Sequence, residues 1–150
     1  MKKIKVNHYT DTLIYTIDMI IKDIKADLNQ YIANNVENIT AEQFVVLDTI
    51  YCHNEVCQQD IATILSKDKS NTKRIVEILE KNNYVTRKTG RKNNRLVNFL
   101  EITQEGKKIV DDNIENIKKH IEEYFSDIDD DEIELLKKLA PRFKKTNLFK

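Results

Sequence analysis

The sequence predicts a mainly α-helical chain with one small β-hairpin. Three observations lead there. Two glycines and one proline in 150 residues supply few of the breaks that a sandwich or barrel needs. Apolar residues recur every three or four positions through most of the chain. One stretch, 84–102, departs from that period and places β-branched and aromatic residues on both sides of a turn rich in Gly and Asn.

Length allows one domain with a real core. The formal net charge is zero, but the charge is blocked out along the chain. Residues 41–66 hold four acids and no Lys or Arg, residues 67–95 hold ten Lys and Arg against three acids, and residues 96–136 hold thirteen acids against four Lys. A basic block between acidic ones gives one face suited to a polyanion. Two cysteines do not make a disulfide scaffold at this length, so a reducing cytoplasm is expected. The start, MKKIK, is followed by no signal-peptide pattern, and no window approaches 18 uninterrupted apolar residues, so no membrane span is expected.

The first helix is expected to begin near Thr10 or Asp11, either of which can cap it. Its stripe is Leu13, Ile14, Ile17, Ile20, Ile21, Ile24, Leu28, Tyr31 and Ile32, with Asp18, Lys22, Lys25 and Asn29 opposite. Residues 34–38 read as a loop. Thr40 and Gln43 then have capping-box form and open a second helix burying Phe44, Leu47, Ile50 and Tyr51. After an extended link at Val56, a third helix covers 58–65 and buries Ile61, Ala62 and Leu65. Residues 66–68 turn the chain, and Asp68 caps a fourth helix over 69–82. There Thr72, Ile75, Val76 and Leu79 face inward, while Lys69, Ser70, Asn71, Lys73, Arg74 and Glu77 face out. Asn83 stands where the helix needs a left-handed terminal residue.

Two strands follow, 84–89 and 95–102, with 90–94 as the turn between them. Thr103 caps a long helix carrying Ile109, Val110, Ile114, Ile117, Ile121, Tyr124 and Phe125. Residues 126–131 break it and bring acids to the start of a last helix, which buries Ile133, Leu135 or Leu136, and Leu139 and bends or ends at Pro141. The tail, 142–150, is basic. Two short helices joined by a tight turn, the second basic, followed by a hairpin, make a helix-turn-helix with a wing.

The spacing Thr40-x-x-Gln43-Phe44-x-x-Leu47, Asp60-Ile61-Ala62-x-x-Leu65 and Asp68-x-Ser70-x-Thr72-x-Arg74-x-Val76 resembles the MarR family of bacterial transcription regulators. So do Leu79-Glu80-x-x-Asn83-x-Val85-x-Arg87 and Ile102-Thr103-x-x-Gly106. The resemblance covers about residues 40–106. It implies a winged helix-turn-helix DNA-binding region over 40–103. Residues 1–39 and 104–150 would form a helical dimerisation region. It also implies a homodimer on a pseudo-palindromic double-stranded DNA operator. The dimer would usually be a repressor, released by a small-molecule effector or by cysteine oxidation. The chain departs from the pattern in three places. Asn83 stands where Gly is usual, Asn93-Asn94-Arg95 stands where the wing usually has Asp-x-Arg, and Cys57 stands where Thr or Ser often precedes the third helix.

Lys69, Ser70, Asn71, Lys73 and Arg74 lie where a recognition helix meets base edges and phosphates. Asn can bond adenine at two points and Arg guanine at two points. The bland alternative is a solvated charged face. In the hairpin, Arg87, Lys88, Arg91, Lys92 and Arg95 suit a narrow minor groove, with Arg91 and Arg95 the best placed; the alternative is a hairpin kept soluble by charge. The long apolar stripes exceed what a small module needs and point to a partner copy, against a monomeric bundle. Cys57 at a helix start is an oxidisable candidate with Cys52 as its resolving thiol, against a small buried hydrophobe and a poor cap. Cys52, His53 and Cys57 lack a fourth metal ligand nearby. The acids at 129–131 are better explained by helix capping than by a metal. No catalytic arrangement, phosphate loop or cofactor motif is present, so an enzyme is not expected. The competing function is a winged-helix protein–protein interaction module.

Overall fold

The structure, a computed structural model, describes residues 7–145. It divides into two compact units, residues 1–114 and 115–150. The tail beyond residue 145 lies outside the described residues.

In the first unit a short 3-10 turn, Tyr9–Asp11, precedes helix α1, Leu13–Asn35. The cap is Thr12, whose hydroxyl accepts from Tyr15 N at 3.2 Å. Asp11 instead accepts from His8 N, so the helix starts later than Thr10 or Asp11 would set it. At the other end α1 runs into the expected loop, and Val36 N still donates to Ile32 O at 2.9 Å. Within α1 only Ile32 is fully buried; Leu13, Ile14, Ile20 and Ile21 are 44–68% exposed.

Helix α2, Ala41–Cys52, opens with the expected reciprocal box: Gln43 N donates to Thr40 Oγ1, and Thr40 N donates to Gln43 Oε1. Phe44, Val46, Leu47 and Ile50 are buried. Tyr51 is not, at 39% exposed; it lies beside Asp111, whose carboxylate raises the phenol's pKa. Helices α3, Gln58–Ile64, and α4, Lys69–Lys81, form the helix-turn-helix. The turn holds Ser66 at φ 50°, with Lys67 N closing onto Ala62 O at 2.9 Å. Asp68 caps α4, accepting from Asn71 N at 2.9 Å, and the Thr72 hydroxyl is buried against Asp68 O. Thr72, Ile75, Val76 and Leu79 are buried, as their spacing predicts. Leu65 is only half-buried, because α3 stops one residue short of it.

Asn83 takes the left-handed conformation (φ 61°), and Tyr84 N reaches back to Leu79 O at 2.9 Å, the bond that ends a helix and reverses the chain. Strands β1, Val85–Lys92, and β2, Arg95–Ile102, then pair antiparallel from Val85↔Ile102 to Lys92↔Arg95. The turn is therefore Asn93–Asn94 alone, with φ 50° and 61°, the mirror-image two-residue turn that suits twisted strands. The broader turn expected over 90–94 is corrected: Gly90, Arg91 and Lys92 are strand residues. Gly90 is needed for space rather than for turning, since a Cβ there would lie 2.6 Å from the Phe99 ring. The link at Val56 also pairs with the hairpin. Leu100 N donates to Val56 O at 2.8 Å, and Cys57 forms a β-bridge with Phe99.

Helix α5, Gln104–Tyr124, starts at Thr103, whose hydroxyl accepts from Gly106 N and donates to Asn83 O at 2.7 Å. This one side chain ties the end of α4 to the start of α5. The core of the first unit gathers Ile32, Leu47, Ile61, Ile75, Val76, Leu79, Val85 and Val110, each nearly inaccessible. Their apolar areas supply the main stabilising term.

In the second unit α5 ends and helix α6, Asp130–Leu139, begins at Asp129. Asp129 Oδ1 accepts from Glu132 N at 2.9 Å, and Glu132 Oε2 accepts from Asp129 N. The acidic run is thus a cap with favourable charge at a helix start. Ile133 and Leu139 are half-buried, but Leu135 and Leu136 remain 56% and 60% exposed, against the expectation that one is buried. Pro141 falls in a 3-10 stretch, Ala140–Lys145, that ends the helix. Among the described residues no helix is long and apolar enough to cross a membrane.

Candidate nucleic-acid interface

The outward side of α4 carries the predicted residues at its first turns. Lys69, Ser70, Lys73 and Arg74 are exposed and Asn71 is half-buried. They are held there because Thr72, Ile75, Val76 and Leu79 bury the opposite side, which fixes the rotation of the helix about its axis. Arg74 Nη2 donates to Asn71 Oδ1 at 2.9 Å, so the two side chains best suited to bases form a pair. Beside them Glu42, in the first turn of α2, accepts from Lys67 at 2.8 Å. That bond holds the Glu42 carboxyl below its usual range, and nearby Arg74 and Asn71 pull the same way. Lys73 sits 3.7 Å from Glu77, an exposed pair that costs little to break.

The hairpin cations divide. Arg87 Nε donates to Glu80 of α4 at 2.8 Å, with both side chains 30% exposed, and this bond raises the Arg87 pKa. Lys92 Nζ lies 2.8 Å from both carboxylate oxygens of Asp60 in α3. Asp60 also accepts from Cys57 N at 2.9 Å; that bond first, and Lys92 second, hold its carboxyl below the usual range. Lys88 makes a loose, exposed contact with Glu101 at 3.4 Å. Arg91 and Arg95 are exposed and have no ion-pair partner among the described residues. By register Arg91 shares a face with Leu96, and Arg95 shares the other face with Lys92, so the two arginines flank the Asn93–Asn94 apex on opposite faces.

Sequence reasoning named the cations but missed the acids that engage them. Glu80 and Arg87 are separated by a helix end and a turn, and Asp60 and Lys92 by 32 positions, so no local spacing signals either pair. Of the cysteines, Cys52 is an exposed thiol near the end of α2, and Cys57, half-buried at the cap of α3, gives its backbone N–H to the Asp60 that holds Lys92. Among the described residues no three His, Cys, Asp or Glu side chains are grouped to hold a metal ion.

Residues 39–97 match the sequence model of the MarR family. No curated protein matches the chain. Among solved structures, the MepR–DNA complex from S. aureus is 22% identical with a TM-score of 0.77, covering 91% of this chain and 96% of that one. A cysteine-to-serine mutant of MarR from E. coli, complexed with operator DNA, is 22% identical with a TM-score of 0.78, covering 93% and 99%. Wild-type E. coli MarR in its apo form is 24% identical with a TM-score of 0.67, covering 89% and 97%. Identities this low show a shared fold: six helices with an antiparallel hairpin in winged helix-turn-helix order. The chain has the winged helix-turn-helix fold of these solved regulators, and its similarity in sequence to the MarR family lies in residues 39–97.

Proposed function

We propose that the protein is a homodimeric transcription regulator that binds a pseudo-palindromic DNA operator, acting as a repressor. The observation that carries this reading is the arrangement of uncommitted cations. Lys69 and Arg74 on the exposed start of α4, and Arg91 and Arg95 at the wing apex, have no internal ion pair among the described residues. Each stands on an element suited to one groove: the helix to base edges in the major groove, the hairpin tip to the minor groove. Two of the structural neighbours are complexes with DNA. Ser70, Asn71 and Lys73 complete the helix surface, and Lys88 adds an easily released charge.

Dimerisation is supported by unsatisfied apolar area. The first unit leaves Leu13, Ile14 and Ile20 more than half exposed, and the second leaves Leu135 and Leu136 so. Residues 1–39 and 104–150 are the proposed dimer region, and 40–103 the DNA-binding region. A second copy would cover the apolar faces and present two recognition helices about one DNA turn apart, ~34 Å. Release by a small ligand or an oxidant rests on the family resemblance.

The test is equilibrium binding across a salt series, using DNA fragments that the protein selects from a random pool. Among the described residues five cations of the basic block (Lys69, Arg74, Lys81, Arg91 and Arg95) have no ion pair, and Lys73 and Lys88 are loosely held. If these carry the phosphate contacts, log affinity falls against log salt with a slope of about −4 to −6 per protomer. A flat salt dependence, or equal binding to every fragment, overturns the reading and leaves a protein-interaction module.

A further inference from the structure

We propose that Asp60 and Lys92 form a latch that positions the wing for DNA, so that Lys92 holds the hairpin tip to α3 instead of contacting phosphate. The inference rests on the DNA-binding reading and adds a positioning role to one of the cations in that surface.

The argument starts from the hairpin's length. Near its base it is fastened by Arg87 to Glu80, and by Phe99 and Leu100 to the Val56–Cys57 segment. From Phe99 to the apex at Asn94 is five residues, a reach of about 16 Å. A two-stranded ribbon of that length is marginal by itself in water. Over this span Lys92–Asp60 is the one ion pair among the described residues that joins the hairpin to another element. It sits at the last strand pair, Lys92↔Arg95, directly below the two-residue turn.

The acid is itself held. Asp60 is the third residue of α3 and accepts from the backbone N–H of Cys57, so its carboxylate is locked to a helix start before Lys92 arrives. Both oxygens lie 2.8 Å from the Lys92 ammonium. Lys92 is therefore neutralised where it stands, and a phosphate approaching it also meets the Asp60 charge. Among the described residues Arg91 and Arg95 have no such partner, and they occupy the adjacent positions. Fixing the tip lowers the ordering cost those two arginines incur on binding.

The sign of one substitution separates the two roles. Removing an acid beside a phosphate contact tightens DNA binding, whereas removing half of a latch weakens it. Asp60→Asn keeps a side-chain oxygen for the Cys57 N–H, and Lys92→Met leaves the α3 cap untouched. Each is expected to lower affinity for the selected DNA fragment about 3- to 10-fold while leaving the salt slope unchanged, and Lys92→Arg to restore affinity. Loss of a phosphate contact would instead flatten the slope by about 0.9 per protomer. A DNA-free measurement accompanies this: heteronuclear NOEs of the Asn93 and Asn94 amides should fall in both variants and recover in Lys92→Arg. Tighter or unchanged binding by Asp60→Asn overturns the latch, as does a flattened slope in Lys92→Met. Unchanged apex NOEs overturn it as well. If the wild type binds no DNA, the proposed function fails, while the NOE comparison still decides whether the tip is latched.

Discussion

Gly106→Ala should destabilise the protein, although the same change in an ordinary helix stabilises it. Gly106 is the third residue of α5, and its backbone φ is not in the left-handed region. The position needs space, not a special backbone angle. A Cβ there would lie 2.3 Å from the Tyr84 carbonyl oxygen and 2.8 Å from Ile102 Cγ1. The first is a backbone atom, and it already accepts from Thr103 N at 3.0 Å. It cannot retreat without loosening the junction between the end of α4, the base of the wing and α5. Helix propensity favours Ala by up to ~1 kcal/mol. Overpacking a filled site costs about 1–3 kcal/mol, and the weakened Tyr84–Thr103 hydrogen bond about 1 kcal/mol more. The net is a loss of roughly 1–3 kcal/mol. Urea unfolding of wild type and variant at one fixed protein concentration measures it, a control that any self-association requires. With a slope near 2 kcal/mol per molar, the midpoint falls by about 0.5–1.5 M. A midpoint that is unchanged or raised, at equal slope, refutes the steric argument.

Three further outcomes are expected. Arg74→Ala should weaken binding to the selected fragment by about 1–3 kcal/mol if Arg74 reads a base, while equal loss on random DNA would assign it to phosphate. Because Arg74 bonds Asn71, the Asn71→Ala and Arg74→Ala effects should be non-additive in a double-mutant cycle. For pH, the folded Asp60 carboxyl lies below its ordinary value of 3.8, so its contribution is full above that value and is lost as pH falls through the depressed folded value. The stability gap between wild type and Asp60→Asn, measured by urea unfolding at several pH values, should therefore shrink below about pH 4; a gap that is constant or widens there contradicts the ion pair.

Much of this architecture is legible in local sequence because local chemistry sets it. Thr40 with Gln43, Asp68 ahead of α4, Asn83 after it and Thr103 ahead of α5 each act over three or four residues, and each forms the cap its spacing implies. The hairpin turn was less legible. Gly90 marks a turn by composition, yet two consecutive Asn residues with positive φ make a tighter one, and the glycine is used to accommodate Phe99. Tyr51 follows the apolar period of α2 but lies exposed next to Asp111, a contact between residues 60 positions apart that periodicity cannot register.

The basic block shows the same boundary in charge. Ten cations in 67–95 mark a surface for a polyanion, but a count treats them as equivalent. Folding does not. Lys67, Arg87 and Lys92 are paired at 2.8 Å with acids that come from three different helices, α2, α4 and α3. In the proposed DNA complex, breaking such a pair to reach a phosphate would exchange one good contact for another and leave a carboxylate facing the DNA, so these three would be poor sources of binding energy. What the structure gives them is geometry: Lys67 bonds Glu42 beside the Asn71–Arg74 pair, Arg87 ties the hairpin base to α4, and Lys92 ties its tip to α3. The uncommitted charge that remains is concentrated at the start of α4 and the apex of the wing. A chain with no net charge can therefore present a focused cationic surface, because its acids cancel the cations that shape the surface and leave those that face outward.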